Sequence, residues 1–142
     1  MKRDIKQKID EVFSRCIRMD AGWCISCKKS VPLDCSHLHG RARLGLRWLP
    51  LNCVGQCREC HRYYTDNPEE FRAWRRHHLG PKVDDFLIRL AGMTFKFSKA
   101  EQGDILDHYR RVEFDIAQGG IGVPAAPIIQ EKIDAVRGAG MQ

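Results

Sequence analysis

No apolar run in this chain approaches the roughly 20 residues that a membrane-spanning helix needs, so a bilayer is not among its expected partners. A signal-peptide pattern is missing too: Met1-Lys2-Arg3-Asp4 runs straight into an amphipathic repeat instead of an apolar stretch. There is no internal repeat and no low-complexity block, which sets aside solenoids and compositionally biased tails. At 142 residues the chain is too short for a second independent domain, although long enough to bury one modest core. Acidic side chains are outnumbered: 24 Lys and Arg face 18 Asp and Glu, for a net charge of +6. An anionic partner is therefore expected, and nucleic acid is the commonest one. The 7 cysteines are an odd number, which with no leader favours a reducing cytoplasm and metal-bound thiolates over disulfides. The expected protein is soluble.

The cysteines are the informative feature. Cys24-Ile25-Ser26-Cys27 and Cys57-Arg58-Glu59-Cys60 are two Cys-x-x-Cys knuckles, and two such knuckles close a tetrahedral thiolate site around one structural zinc ion. The chain between them becomes a loop stapled at its base, longer than in a compact zinc ribbon. Cys16 falls on the apolar face of the first helix and is expected in the core. Cys35 and Cys53 have no partner knuckle and are assigned to no metal.

Apolar residues at helical spacing, from Ile5 through Ile9, Val12, Phe13, Cys16 and Ile17, predict an amphipathic helix over residues 2–19. Residues 28–50 carry no helical stripe and suit a small two-stranded element. A helix is expected to start within residues 57–64 and to break at Thr65 and Asp66. It restarts at Asn67-Pro68-Glu69-Glu70, where a cap residue, a first-position proline and first-turn acids coincide. Gly80-Pro81 ends that helix, a shorter one leads to Gly92, and Ser98-Lys99-Ala100-Glu101 is a capping-box pattern opening a further one. The zinc-stapled region and its flanking helices are placed in residues 1–118. Residues 119–142 read as a linker followed by either a short helix or a flexible tail.

Within the stapled loop, Asp34-Cys35-Ser36-His37, Arg47-Trp48, Leu51-Asn52 and Cys57-Arg58-Glu59-Cys60-His61 occur in the order seen in HNH, or ββα-metal, nucleases. The chain resembles that family over about residues 24–67, and more narrowly its phage-borne subgroup that includes the NinG/Rap recombination endonucleases. The resemblance implies an α+β fold, a small zinc-stapled ββα-metal core flanked by N- and C-terminal helices. It implies a divalent-metal-dependent DNA endonuclease, phage-encoded and working in the host cytosol, acting on branched DNA in recombination. By the same resemblance His37 is the general base, Asn52 orients the loop and the His37 side chain, and His61 is the helix-borne ligand of a catalytic Mg²⁺ or Mn²⁺. The chemistry wants such groups: hydrolysis of a phosphodiester needs a base for the attacking water and relief of the charge that builds on phosphate.

One position departs from the family pattern. The residue before the general base is often a metal-binding Asp, and here it is Ser36, a poor substitute on a hard cation. Asp34, on the strand face of Ser36, and Asp66 or Asn67, just past His61, are the candidates for a second protein ligand. His39 shares its face with His37 and is either an auxiliary group or a surface histidine. Arg41, Arg43 and Arg47 are expected on the DNA backbone, with Trp48 as a core plug. Arg72, Arg75 and Arg76 share one helix face and form a second basic run, set against the commoner outcome of a solvated face. Tyr63, Tyr64 and Trp74 are either base-stacking rings or buried ones. Ser36 keeps another class open, a zinc-stapled nucleic-acid or protein-binding module without catalysis. An HNH nickase of phage genome packaging is an alternative of the same chemistry, and a homodimer would suit a paired cut.

Overall fold

Asp4 starts the first helix. Its carboxylate accepts from the Gln7 backbone N–H at 2.8 Å while the Gln7 side chain accepts from the Asp4 N–H at 3.2 Å, a reciprocal capping box. In this computed structural model, which describes residues 3–40 and 44–140, that helix is α1 (Ile5–Ala21). Its stripe Ile9, Val12, Phe13, Cys16 and Ile17 is buried, Cys16 included, as the periodicity predicts. Gly22, with φ at 73°, ends it in a conformation that costs glycine nothing.

The two-stranded element is present but is not contained in residues 28–50. Strand β1 (Leu33–His37) pairs antiparallel with β2 (Cys53–Cys57), with Leu33 opposite Cys57, Cys35 opposite Gly55 and His37 opposite Cys53. Every residue of β2 is buried, so the strand shows none of the polar alternation that betrays a half-exposed one. The connection holds a one-turn helix α2 (Leu44–Arg47) and a 3-10 turn over Pro50–Asn52. Helix α1 lies against the sheet so closely that a Cβ on Gly55 would collide with the Ala21 side chain. Glycine is needed there for lack of space.

The chain continues through α3 (Arg58–Asp66), α4 (Pro68–Leu79), α5 (Pro81–Ala91) and α6 (Lys99–Ala117). The Ser98/Glu101 capping box and the restart at Asn67-Pro68 stand where the sequence puts them, but Thr65 and Asp66 stay in α3 and the break falls at residue 67 alone. Residues 119–126 are irregular, but the last segment is a packed helix and not a tail. Helix α7 (Pro127–Gly140) buries Ile129 and Ile133, with Ala126 before it, in the same core as α1, α5 and α6. Its apolar face is short and interrupted, which is why periodicity alone leaves it open. Tyr109 of α6 links these parts. Fully buried, it donates its hydroxyl hydrogen to the Trp48 carbonyl at 2.6 Å and accepts from the Ala126 N–H at 3.3 Å.

A second polar knot holds α4 and α5 to the loop after β1. The Asp84 side chain is 1% exposed and accepts from Arg75 Nε at 2.9 Å, His39 Nε2 at 3.0 Å and Arg76 at 3.3 Å. Burial works to raise the Asp84 carboxyl, but the hydrogen bonds from Arg75 and His39 outweigh it and hold it below its usual range. For His39, burial and then the charge of Arg75 outweigh Asp84 and push the imidazole down. His39 therefore sits in this knot as a neutral donor.

Removing one member of such a knot strands the others in a dry site. Asp84→Ala is expected to cost ~3–5 kcal/mol by urea unfolding; a loss below ~1 kcal/mol would show that water reaches the arginines. The acid side follows from the two directions of shift. A lowered histidine makes stability decline as pH drops below about 6.5, and a lowered carboxyl adds a further decline below about 4, through its folded value. Unfolding free energies measured at pH 8, 5.5 and 3.5 should fall at each step, and a flat interval from 8 to 5.5 would contradict a neutral His39.

Candidate functional site

The base of the site is a sulfur cluster. The sulfurs of Cys24, Cys27, Cys57 and Cys60 all lie within 4.8 Å of one another, and Cys27 Sγ is 3.8 Å from Cys57 Sγ. Four sulfurs at ~2.3 Å from a tetrahedral zinc would be ~3.8 Å apart, so the Cys27–Cys57 pair already has that spacing and the other sulfurs are within small rotations of it. The first knuckle turns through Lys28, which has φ at 66°, with the Lys28 N–H donating to the Cys24 carbonyl at 2.9 Å. It is tied to the sheet by the Ile25 N–H on the Gly55 carbonyl at 3.0 Å and by Gln56 Nε2 on Ser26 Oγ at 2.8 Å. In the second knuckle Cys57 caps α3, accepting from the Cys60 N–H at 3.4 Å.

The thiols also ask for a cation. Burial opposes the Cys24 thiolate, but backbone N–H groups of Cys57, Cys27 and Ser26 override it and bring the thiol down to about 6. Cys60 is pushed up by burial and by its hydrogen bonds to the other three. Four thiolates this close repel one another, and a divalent ion is what lets all four ionise. The cluster can hold a structural metal such as zinc.

His37 at the end of β1 and His61 in the first turns of α3 are brought together. Both line a cavity of about 340 Å³ on the α1 side, with Asp10, Ser14 and Cys35. Both also line a second of about 330 Å³ on the α4 side, with Ser36, Thr65 and Arg72. Each ring has a fixed partner. His37 Nε2 is 2.9 Å from the Arg47 carbonyl oxygen, which can only accept, so the neutral ring carries its hydrogen on Nε2 and Nδ1 is its basic nitrogen. His61 Nδ1 is 3.1 Å from Asp34 Oδ2, a carboxylate that orients the ring.

Several expected roles change. Asp34 is not placed as a metal ligand: its carboxylate accepts from Arg58 at 3.1 and 3.2 Å as well as from His61, and it stands behind the imidazole. Burial works to raise the Asp34 carboxyl, but those two partners hold it below its ordinary range. Asp66 is exposed at the end of α3 and does not line either cavity, because five residues along a helix from His61 is the wrong face. Asn52 orients the loop but does not reach the His37 ring. Fully buried, it takes the His39 N–H on Oδ1 at 2.9 Å and gives Nδ2 to the His39 and Leu46 carbonyls at 3.0 and 3.2 Å. His37 is held instead by the Arg47 backbone that this loop presents. His39 is committed to Asp84 and is neither a ligand nor a surface group.

The arginines divide. Arg47 does not face outward for phosphate: its guanidinium clasps Asp10 of α1 at 2.9 and 2.6 Å, and Trp48, fully buried as expected, donates Nε1 to the same carboxylate at 2.9 Å. Arg75, 14% exposed, is consumed by Asp84, and Arg76 by Asp84 and Asp85. Arg72 is exposed and borders the cavity shared by His37 and His61. Arg41 and Arg43 lie outside the described residues. Tyr64, Phe71 and Trp74 form a half-buried ring cluster, with His78 stacked on Trp74 at 5.1 Å between centroids, and Tyr63 is exposed.

Two features escape a reading of the sequence. Asp10 and Asp84 are single acids whose partners come from elsewhere in the chain; their one sequence signal is an acid beside an apolar helical face. Cys35, His37 and Cys53 come together across the sheet, with ligand atoms within 4.8 Å of one another. Among the described residues no helix is long and apolar enough to cross a membrane. No family model, no curated protein and no solved structure matches the chain.

If the sulfur cluster binds a structural metal, stripping it with a strong chelator, or Cys60→Ala, should abolish the cooperative thermal transition. Added zinc should restore the stripped wild type. An unchanged, cooperative melt in protein shown by elemental analysis to be metal-free would remove the metal from the fold.

Proposed function

We propose that this protein is a divalent-metal-dependent DNA endonuclease of the HNH type, with β1, β2 and α3 as its catalytic frame. The observation that carries the reading is the shared cleft of His37 and His61, each ring oriented by a hydrogen bond, His37 to the Arg47 carbonyl and His61 to Asp34. His37, Asn52, the second knuckle and His61 also follow the order of the HNH motif.

In this reading a water lies against His37 Nδ1, which takes its proton as the oxygen attacks phosphorus. The Arg47 carbonyl accepts from Nε2 throughout and steadies the imidazolium that forms. Asn52 acts at a distance, by holding the backbone that carries that carbonyl. His61, backed by Asp34, is the side chain that would hold a catalytic Mg²⁺ or Mn²⁺. When bound, such an ion supplies charge relief on the phosphate and on the departing oxygen. Ser36 lines the cleft without adding a carboxylate, so the protein holds such an ion through one side chain. Arg72 stands where the phosphate chain would pass. Branched DNA and a recombination role are what the resemblance to phage enzymes adds to this reading, and a paired cut would suit a homodimer.

The buried Ser36, 2% exposed, favours a second reading, a zinc-stapled DNA-binding module with no catalytic ion. A cleavage assay separates them. Purified protein is incubated with supercoiled, linear, single-stranded and four-way branched DNA, with Mg²⁺, Mn²⁺ or chelator. Metal-dependent cutting is expected, reduced ~10²–10⁴-fold in His37→Ala with DNA affinity within a few fold. Undiminished cutting by that variant would refute the general base, and intact binding with no cutting of any substrate would select the binding module.

Arg72→Ala should weaken DNA binding on all sequences alike and lower the slope of log K against log salt by about one. An unchanged slope would take Arg72 off the backbone path.

A further inference from the structure

We propose that Cys35, His37 and Cys53 form a second metal site, for a soft divalent cation such as zinc, whose occupation silences the cleft by taking up His37. The binding half stands on geometry alone, while the silencing half rests on the nuclease reading.

The sheet builds the site. Antiparallel pairing sets His37 opposite Cys53, and period two puts Cys35 on the face of His37. The three ligand atoms lie within 4.8 Å of one another, against the ~3.8 Å between two sulfurs on one tetrahedral zinc, so closure needs only small side-chain rotations. No residue is shared with the four-cysteine cluster. The ring is already oriented for the task. His37 Nε2 is held by the Arg47 carbonyl at 2.9 Å, the outer-shell contact that metal-bound imidazoles show, so Nδ1 would be the ligand nitrogen. Arg47 is itself clasped by Asp10, so this support is rigid.

The donor set selects the ion. Two thiolates and an imidazole favour Zn²⁺ or Co²⁺ over Mg²⁺, the reverse of what the His61 position with its water and phosphate oxygens would favour. Access differs from that of the cysteine staple. Cys53 is buried, but Cys35 and His37 line the cavity of about 340 Å³ that also reaches Asp10, Ser14 and His61. A metal here has three protein ligands and a fourth position towards water, the pattern of an exchangeable site and not of a closed structural one. Binding forms two metal–sulfur bonds and one metal–nitrogen bond. The protons of the Cys35 and Cys53 thiols pass to solvent, and no electron changes hands. The nitrogen lone pair that would take a proton from water is then shared with the cation.

The test uses the full chain with zinc in the cysteine staple. Co²⁺ is titrated in, and bound metal is counted by elemental analysis beside the sulfur-to-cobalt absorption in the near ultraviolet. Two metals per chain are expected for the wild type, the second giving thiolate bands. One is expected for Cys35→Ala, with its melting transition retained to show that it is folded. A second variant, Cys53→Ala, guards against a fault peculiar to the first. One metal per chain in the wild type, or two in both folded variants, would overturn the site. The silencing is read as the ratio of Mg²⁺-dependent cutting with and without Zn²⁺ in each protein. The wild type should lose at least tenfold and Cys35→Ala less than twofold. Equal ratios alongside a confirmed second metal would overturn the silencing while leaving the site. A wild type that cuts nothing would fail the nuclease reading and the silencing with it, while the metal count still decides the site.

Discussion

The register of the two strands, closed at one end by the sulfur cluster, is the constraint from which the rest of the site follows. Cys57 is the last residue of β2, the cap of α3 and a member of the cluster at once. A slip of one residue in the pairing would turn His37 to the other face and uncouple Cys57 from the first knuckle. So long as the cluster holds, α3 leaves the sheet in one direction only, and His61 arrives beside His37. A two-stranded sheet has little stability of its own. Here it is supplied from both sides, by the four sulfurs and by α1 lying over Gly55.

Around that frame, two acids, Asp84 buried and Asp10 partly so, do most of the electrostatic ordering. Asp10 gathers Arg47 and Trp48 onto α1, which fixes the carbonyl that holds His37. Asp84 gathers His39, Arg75 and Arg76, which fixes the loop between β1 and α2 against α4 and α5. The net charge of +6 therefore overstates the cationic surface near the cleft, since three of the arginines in question are neutralised within the fold. A surface that binds phosphate must be built from those left over, and among the described residues Arg72 borders the cleft. Sequence counting cannot make that distinction, because an arginine paired in the interior and one held out to solvent are the same letter.

Some of the architecture was legible because it is coded locally. Capping at Ser98, the Asn67-Pro68 restart and the α1 stripe depend on residues within one or two turns, and all three appear in the structure. The knuckles were legible for a similar reason, since Cys-x-x-Cys brings its own turn. What failed was non-local. Strand β2 is buried on both faces and shows no alternation; α7 acquires its helix by packing Ile129 and Ile133 on a core assembled far upstream. Asp34 looked like a ligand by strand periodicity and became an orienting carboxylate because α3 delivers Arg58 and His61 to it first.

By itself, then, the order of residues determined which groups are present for chemistry: nine sulfur or imidazole donors spaced around one loop, and the helices that frame them. Tertiary structure alone decided which of these groups act together. It set Cys35 and His37 against Cys53, gave Arg47 to Asp10 and Arg75 to Asp84, and joined His37 to His61 across two elements. The physical reason is range. Caps, turns and helical stripes are settled by neighbours in the chain, whereas a partner for a buried charge or a lone pair is settled by whichever group packing brings within about 3 Å.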